Sequence, residues 1–299
     1  MKILVLGSEG FIGSNMLQYL RSLNYKVIAA DIVIKQQENY LVINPEILNF
    51  DSLFTDYEFD VCINATGAAN VQFSFNYPGI DYTLNTSNVF GILDSIRRKN
   101  PGCKFVNLSS AAVYGNPESL PVRESETLKP LSPYGYHKMY SEQICAQFNK
   151  MFGIPTLSVR IFSAYGEGLK KQLFWDLYQK IKHSNGVIEM FGSGNETRDF
   201  IYIRDLVRAL HCIILNAEFS GQAINVASGI ESTVKEAVEC FCNLFPRKVQ
   251  VNFKKIAKIG DPLKWRADIS VLRSCGFINE YTLNDGLNNY VNWIIKNGA

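Results

Sequence analysis

The chain has 299 residues, enough to bury about three quarters of its unfolded surface and to build one large domain or two unequal lobes. Thirty basic residues against 28 acidic ones leave a formal charge of +2, which provides no field to hold a nucleic acid. No apolar run approaches the ~18 residues of a membrane helix. The first residues enter a strand with no room for a signal peptide, and the seven cysteines are scattered, so the sequence predicts reduced thiols and a cytoplasmic location.

The first element is an apolar run, Lys2 to Leu6, with the length of a buried parallel strand. It leads directly into Gly7-Ser8-Glu9-Gly10-Phe11-Ile12-Gly13. Met16, Leu17 and Leu20 then recur at helical spacing. A strand, a glycine-rich turn and a helix open a dinucleotide-binding unit. Gly7, Gly10 and Gly13 let the backbone approach a pyrophosphate, and the helix N-terminus supplies amide donors and a positive dipole end. A second apolar run, Val27 to Ala30, ends at Asp31. An acid there accepts hydrogen bonds from the adenosine ribose and repels a 2′-phosphate, which predicts NAD rather than NADP; Lys35 is the nearby charge that opposes this.

Further strands are predicted at Val61–Asn64 and Lys104–Leu108, with a long helix over Thr83–Arg98 between them. The strand at 104–108 runs out into Ser109 and Ser110, at the edge where open α/β sheets place ligand chemistry. Pro133 can start the next helix, Tyr134 to Met151. Within it Tyr134 and Lys138 lie one turn apart on one face. An ammonium beside a phenol favours the phenolate, so Tyr134 is expected below its usual pKa of about 10 and able to take a proton from an alcohol. An isolated pair at this spacing is ordinarily a solvated surface; the glycine turn and the serine strand end favour chemistry here.

Thr156–Ile161 is the last clear strand of the first half. Beyond it the reading gives helices over Leu173–Ile181, Asp205–Leu215, Val234–Phe245 and Leu283–Ile295. Strands fall at Val187–Phe191 and Ala223–Val226, the latter rejoining the sheet. The predicted class is α/β: a doubly wound parallel sheet with a smaller C-terminal α/β lobe. Its division is 1–163 plus 199–227 for the dinucleotide and 164–198 plus 228–299 for the substrate. Neither the three histidines nor Cys240-Phe241-Cys242 has metal-ligand spacing.

The ordered motifs resemble the extended short-chain dehydrogenase/reductase family, in its nucleotide-sugar epimerase/dehydratase group. The glycine turn, Asp31, Asn64 to Ala69, Asn88 to Gly91, Ser110, Tyr134 and Lys138 carry the likeness in the first half. Arg160 to Gly166, Gly192 to Ile203, Gly260-Asp261-Pro262 and Ala267 to Ser270 carry it in the second.

The resemblance implies a recycled NAD held by Gly7, Gly10, Phe11, Ile12, Gly13, Asp31, Ala65, Gly67, Asn88 and Ser109, together with Tyr134 and Lys138. It implies catalysis by Ser110, Tyr134 and Lys138. It also implies a nucleotide-diphosphate sugar held by Ser110, Ser163, Arg198 and Lys258. Ser163 stands where relatives often carry asparagine, and Lys258 where they often carry arginine. Arg198 suits paired phosphate oxygens, the alternative being a surface pairing with Asp199 or Glu196. Family dehydratases place acids directly after the active-site hydroxyl. Here Ala111 and Ala112 follow Ser110, which favours an epimerase acting at C4 over a 4,6-dehydratase. A 4-ketoreductase or 4-dehydrogenase needs only the same three groups, and a non-catalytic NAD-binding protein is the reading from another class. Relatives commonly dimerise over the two long helices, so a homodimer is implied.

Overall fold

A computed structural model of the chain describes residues 1–44, 50–254, 256, 260 and 262–297. Strands β1 (Lys2–Leu6), β2 (Lys26–Asp31), β3 (Tyr40–Val42), β4 (Val61–Asn64), β5 (Lys104–Ser110) and β6 (Thr156–Ile161) alternate with helices. These helices are α1 (Phe11–Ser22), α2 (Asp51–Thr55), α3 (Val71–Asn76), α4 (Pro78–Tyr82), α5 (Asn88–Lys99) and α6 (Pro133–Phe152). Then come β7 (Ser163–Tyr165), α7 (Gln172–His183), β8 (Val187–Met190), β9 (Thr197–Tyr202), α8 (Ile203–Asn216), β10 (Ser220–Val226), β11 (Glu231–Thr233), α9 (Val234–Asn243), β12 (Gln250–Phe253), α10 (Ser270–Ser274) and α11 (Leu283–Lys296).

Seven strands form the main sheet in the order β10-β6-β5-β4-β1-β2-β3, and every pair in it is parallel. The chain winds outward from β1 in one direction and then restarts beside it with β4. The crevice at the carboxyl ends of β1 and β4 is therefore the topological switch point, where such sheets bind ligands. The central strands are apolar on both faces: Ile3 to Leu6, Val61 to Ile63 and Phe105 to Val106 are buried under helices on either side.

The long predicted helix over Thr83–Arg98 is interrupted. Residues Thr83–Ser87 form a π turn, and α5 begins only at Asn88. Helix α6 has clear causes at both ends. Ser132 caps it by accepting from the Gly135 amide at 3.2 Å, Pro133 occupies its first turn, and Gly153 ends it at φ +68°. Smaller sheets complete the second half: β9 lies between β7 and β11, and β8 pairs with β12.

Candidate active site

Gly7 leaves β1 at φ +75°, and a Cβ on it would lie 2.6 Å from the Ala65 carbonyl oxygen. A Cβ on Gly13 would lie 2.1 Å from the Gly7 carbonyl oxygen. Glycine at both places lets the turn close onto β4 and onto the first turn of α1. Gly10, the N-cap of α1, makes no side-chain cap hydrogen bond, and the helix begins with Phe11 and Ile12 at the sheet's carboxyl edge. Asp31, at the end of β2, is buried and accepts from the Glu9 amide at 2.9 Å and the Val33 amide at 3.3 Å. Lys35 is ion-paired to Glu9, so the charge that opposed the Asp31 reading is partly balanced.

Ala65 and Gly67 follow β4 on the other side of the switch point. Here the structure adds a residue that the sequence reading missed. Asn85, in the π turn, is buried, and its Nδ2 donates to the Ala68 carbonyl at 3.1 Å. A Cβ on Gly67 would sit 2.4 Å from Asn85 Oδ1. That oxygen is buried and accepts no hydrogen bond among the described residues. Asn88, singled out from the sequence, is three residues further on and half-buried at the start of α5. The signal was present as a second asparagine; only the π turn shows which one reaches the loop. A tight glycine cradle, an uncapped helix end and a buried orphan acceptor fit a dinucleotide at this edge.

Ser109 and Ser110 end β5 on opposite faces, as strand alternation requires. Ser109, offered as a cofactor contact, donates its hydroxyl to Glu142 at 2.6 Å in a buried network. Arg160 grips the same carboxylate through Nε and through Nη2, the latter at 2.8 Å, and reaches the Tyr114 hydroxyl at 2.8 Å. Tyr114 in turn donates to Asn225 at 2.7 Å. Ser110 caps the short 3-10 turn Ala111–Val113 by accepting from the Ala112 amide at 3.2 Å. A Cβ on Gly135 would be 2.7 Å from the Ala112 carbonyl oxygen; its absence lets the start of α6 approach that turn. The approach brings Tyr134 up to Ser110, whose hydroxyl acts to lower the phenol's pKa.

Tyr134 does not carry the lowered pKa expected from its spacing to Lys138. Burial pushes the phenol up to about 12, the Ser110 hydrogen bond opposes this, and the Asp81 carboxylate adds to it. Lys138 is also buried, and burial brings it down to about 8. Its Nζ donates to the Leu108 carbonyl at 2.8 Å and stands 6.0 Å from the centre of the Tyr134 ring. Desolvation is the dominant effect on both groups.

Two further residues offered for the sugar nucleotide, Ser163 and Arg198, lie in β7 and β9. Ser163 starts β7 and pairs with Phe200 of β9. Arg198 lies in β9 opposite Ser232, with its guanidinium carbon 5.7 Å from the centre of the Trp265 ring. The Trp265 indole donates to the Gly115 carbonyl at 3.0 Å, tying Arg198's neighbour to the loop that follows Ser110. The acids considered as surface partners are engaged elsewhere. Asp199 accepts from Ser228, Gly229 and Ala267, and Glu196 from Ser193 and Gly194. Lys258 lies outside the described residues. Among the described residues no cluster of His, Cys, Asp or Glu is gathered for a metal ion, and no helix is long and apolar enough to cross a membrane.

A glycine cradle at the switch point beside a grouped serine, tyrosine and lysine defines a dinucleotide-dependent enzyme of short-chain dehydrogenase/reductase type. The chain belongs to the NAD dependent epimerase/dehydratase family, whose model matches residues 3–227. It is similar to the uncharacterized UDP-glucose epimerase YtcB of Bacillus subtilis, 28% identical and covering 98% of each chain. A UDP-glucuronate 4-epimerase of Thermodesulfobacterium geofontis is 25% identical, with 98% of this chain and 96% of that one covered. Among solved structures, a UDP-glucuronic acid 4-epimerase from Bacillus cereus, in complex with UDP-glucuronic acid and NAD, superposes with a TM-score of 0.88. It is 26% identical, with 99% of both chains covered.

Proposed function

We propose that the chain is an NAD-dependent nucleotide-sugar epimerase that inverts C4 through a 4-keto intermediate, supplying sugars for surface-polysaccharide assembly. The observation that carries this reading is the meeting of Ser110, Tyr134 and Lys138 beside the glycine cradle, with Ala111 and Ala112 after Ser110. Gly7, Gly10, Phe11, Ile12, Gly13, Asp31, Ala65, Gly67, Asn88, Ser109, Tyr134 and Lys138 hold NAD, joined by Asn85, whose buried oxygen faces Gly67. Tyr134 takes the proton of the sugar 4-hydroxyl, Ser110 fixes that oxygen through its hydroxyl, and Lys138 supplies a buried cation and donor. NAD held by these residues would supply a reversible hydride acceptor for C4, so that the cycle would have no net redox change. Neither Ala111 nor Ala112 can transfer a proton, which disfavours expulsion of water from the neighbouring carbons.

The sugar nucleotide is taken between two lobes, residues 1–163 with 199–227 and residues 164–198 with 228–299. Arg198 and Lys258 meet the diphosphate, and Ser163 lies near the sugar. A homodimer over α5 and α6 is supported by the exposed Phe90, Tyr136, Tyr140, Met151 and Phe152 on those helices. A cytoplasmic location is supported by seven free thiols.

Incubation with a panel of UDP-, GDP-, CDP- and dTDP-sugars, with and without added NAD(P)H, tests the function. Unchanged product mass with altered proton couplings at C4 is the expected result. A mass loss of one water means a dehydratase, and a gain or loss of two hydrogens means a ketoreductase or dehydrogenase. Bound NAD with no turnover of any sugar means a binding protein.

A further inference from the structure

The turn of α6 that carries Tyr134 and Lys138 also carries His137. This ring is buried, and its Nδ1 lies 2.6 Å from Oδ2 of Asp81, a carboxylate on α4 with no exposed surface. The other Asp81 oxygen accepts from Asn85 Nδ2 at 3.1 Å, the same nitrogen that reaches the Ala68 carbonyl. Thr86 Oγ1 donates to the His137 backbone carbonyl at 3.0 Å. Tyr82 covers the pair from outside, edge to face on His137 with 5.3 Å between ring centres. One carboxylate thus joins the turn bearing Tyr134 to the asparagine against Gly67 and Ala68.

We propose that Asp81 and His137 form a positioning pair, which fixes the Tyr134–Lys138 turn against the Asn85 segment and keeps a negative charge beside both groups. This rests on the epimerase reading. A buried carboxylate tolerates little movement of its donors, because losing one leaves a desolvated charge unpaired. Its hydrogen bond from an imidazole is charge-assisted and directional. Asp81 also acts electrostatically on both partners, raising Tyr134 and raising Lys138. Glu142 and Cys145, on the same helix, act on Lys138 in the same sense, while Ser110 from β5 lowers Tyr134. Removing the Asp81 charge therefore moves Tyr134 and Lys138 downward together.

Three substitutions in the full chain with NAD test the pair: His137→Leu, His137→Asn and Asp81→Asn. His137→Leu lowers kcat about tenfold or more, as expected for a displaced reacting group, with KM for the nucleotide sugar nearly unchanged. His137→Asn, whose amide places a donor near the position of Nδ1, recovers most of that loss. The second readout needs no substrate. Difference titration of tyrosinate absorbance, each protein minus its Tyr134→Phe counterpart, isolates Tyr134. In the Asp81→Asn background Tyr134 titrates lower by about half a unit or more.

Wild-type kcat in His137→Leu overturns the proposal, as does His137→Asn behaving no better than His137→Leu, or an unmoved Tyr134 titration. If Asp81→Asn does not fold, the two His137 substitutions decide. If the wild type converts no sugar, the epimerase reading fails while the tyrosine titration still tests the pair.

Discussion

Lys138 and Tyr134 share one face of α6, yet the Lys138 ammonium is directed at the Leu108 carbonyl, 2.8 Å away, rather than at the phenol. Burial holds the phenol near a pKa of about 12 and the ammonium near about 8. In the chain alone Tyr134 is therefore a neutral phenol at physiological pH.

Tyr134→Phe removes the proton carrier while keeping the ring and its packing. Turnover should fall by about 10²–10⁴, the range for a lost acid/base group, with folding and NAD binding near wild type. Ser110→Ala should be milder, because it orients the oxygen rather than abstracting from it. Stopped-flow and steady-state rates on the converted sugar check both. A Tyr134→Phe enzyme keeping more than about a tenth of its turnover contradicts the assignment.

Lys138 makes stability depend on pH in a definite sense. The unfolded lysine holds its proton up to about pH 10.4. The folded one releases it near about 8. Between these values the unfolded chain binds more protons, so this group's contribution to stability rises with pH. Tyr134 acts oppositely: from about pH 10 upward the unfolded phenol loses a proton that the folded one keeps, and stability falls. Lys138→Met removes the first effect. Its stability relative to wild type should fall by up to about 3 kcal/mol between pH 7 and pH 10.4. Denaturant unfolding of both proteins across that range measures this; a constant difference shows that Lys138 titrates normally.

Arg198→Ala should weaken nucleotide-sugar binding by roughly ten- to hundredfold, the equivalent of about 1.5–3 kcal/mol for a charge-assisted phosphate contact. NAD affinity should stay near wild type. Calorimetric titration with each ligand separates the two. Weaker NAD binding with unchanged sugar-nucleotide affinity would place Arg198 on the wrong side of the cleft.

Asp31 should make NAD bind more tightly than NADP by about tenfold or more, because its carboxylate opposes the added phosphate. Asp31→Asn should narrow that gap. Equal affinities in the wild type would mean that the Lys35–Glu9 pair opens to receive the phosphate.

The glycine turn, the order of strands and helices, and the Tyr134–Lys138 spacing were legible because they are local: each is a pattern within a few residues. What escaped depended on distance or on burial. Asn85 and Asn88 both suit a helix by spacing, and only a π turn, which no period announces, brings Asn85 against Ala68. That the Ser109 hydroxyl is given to Glu142, on another element, could not be read from the strand that ends at it. The direction of the Tyr134 shift followed from how much water the fold removes, and a four-residue spacing carries no measure of that. Asp81 and His137 are separated by 56 positions, and nothing along the chain marks them as neighbours.

The buried chain from Ser109 through Glu142, Arg160 and Tyr114 to Asn225 constrains how this sequence can drift. It spans β5, α6, β6 and β10, and its core is a buried ion pair. Exchanging Arg160 or Glu142 alone strands a charge, at a cost of about 3–5 kcal/mol, a large share of a domain's total stability. The intermediates on a path to an apolar replacement are thus less stable than either end. Loss of either charge thus loosens the strand that presents Ser110 from the helix that presents Tyr134, so damage far from the reacting atoms would reach them through this one pair.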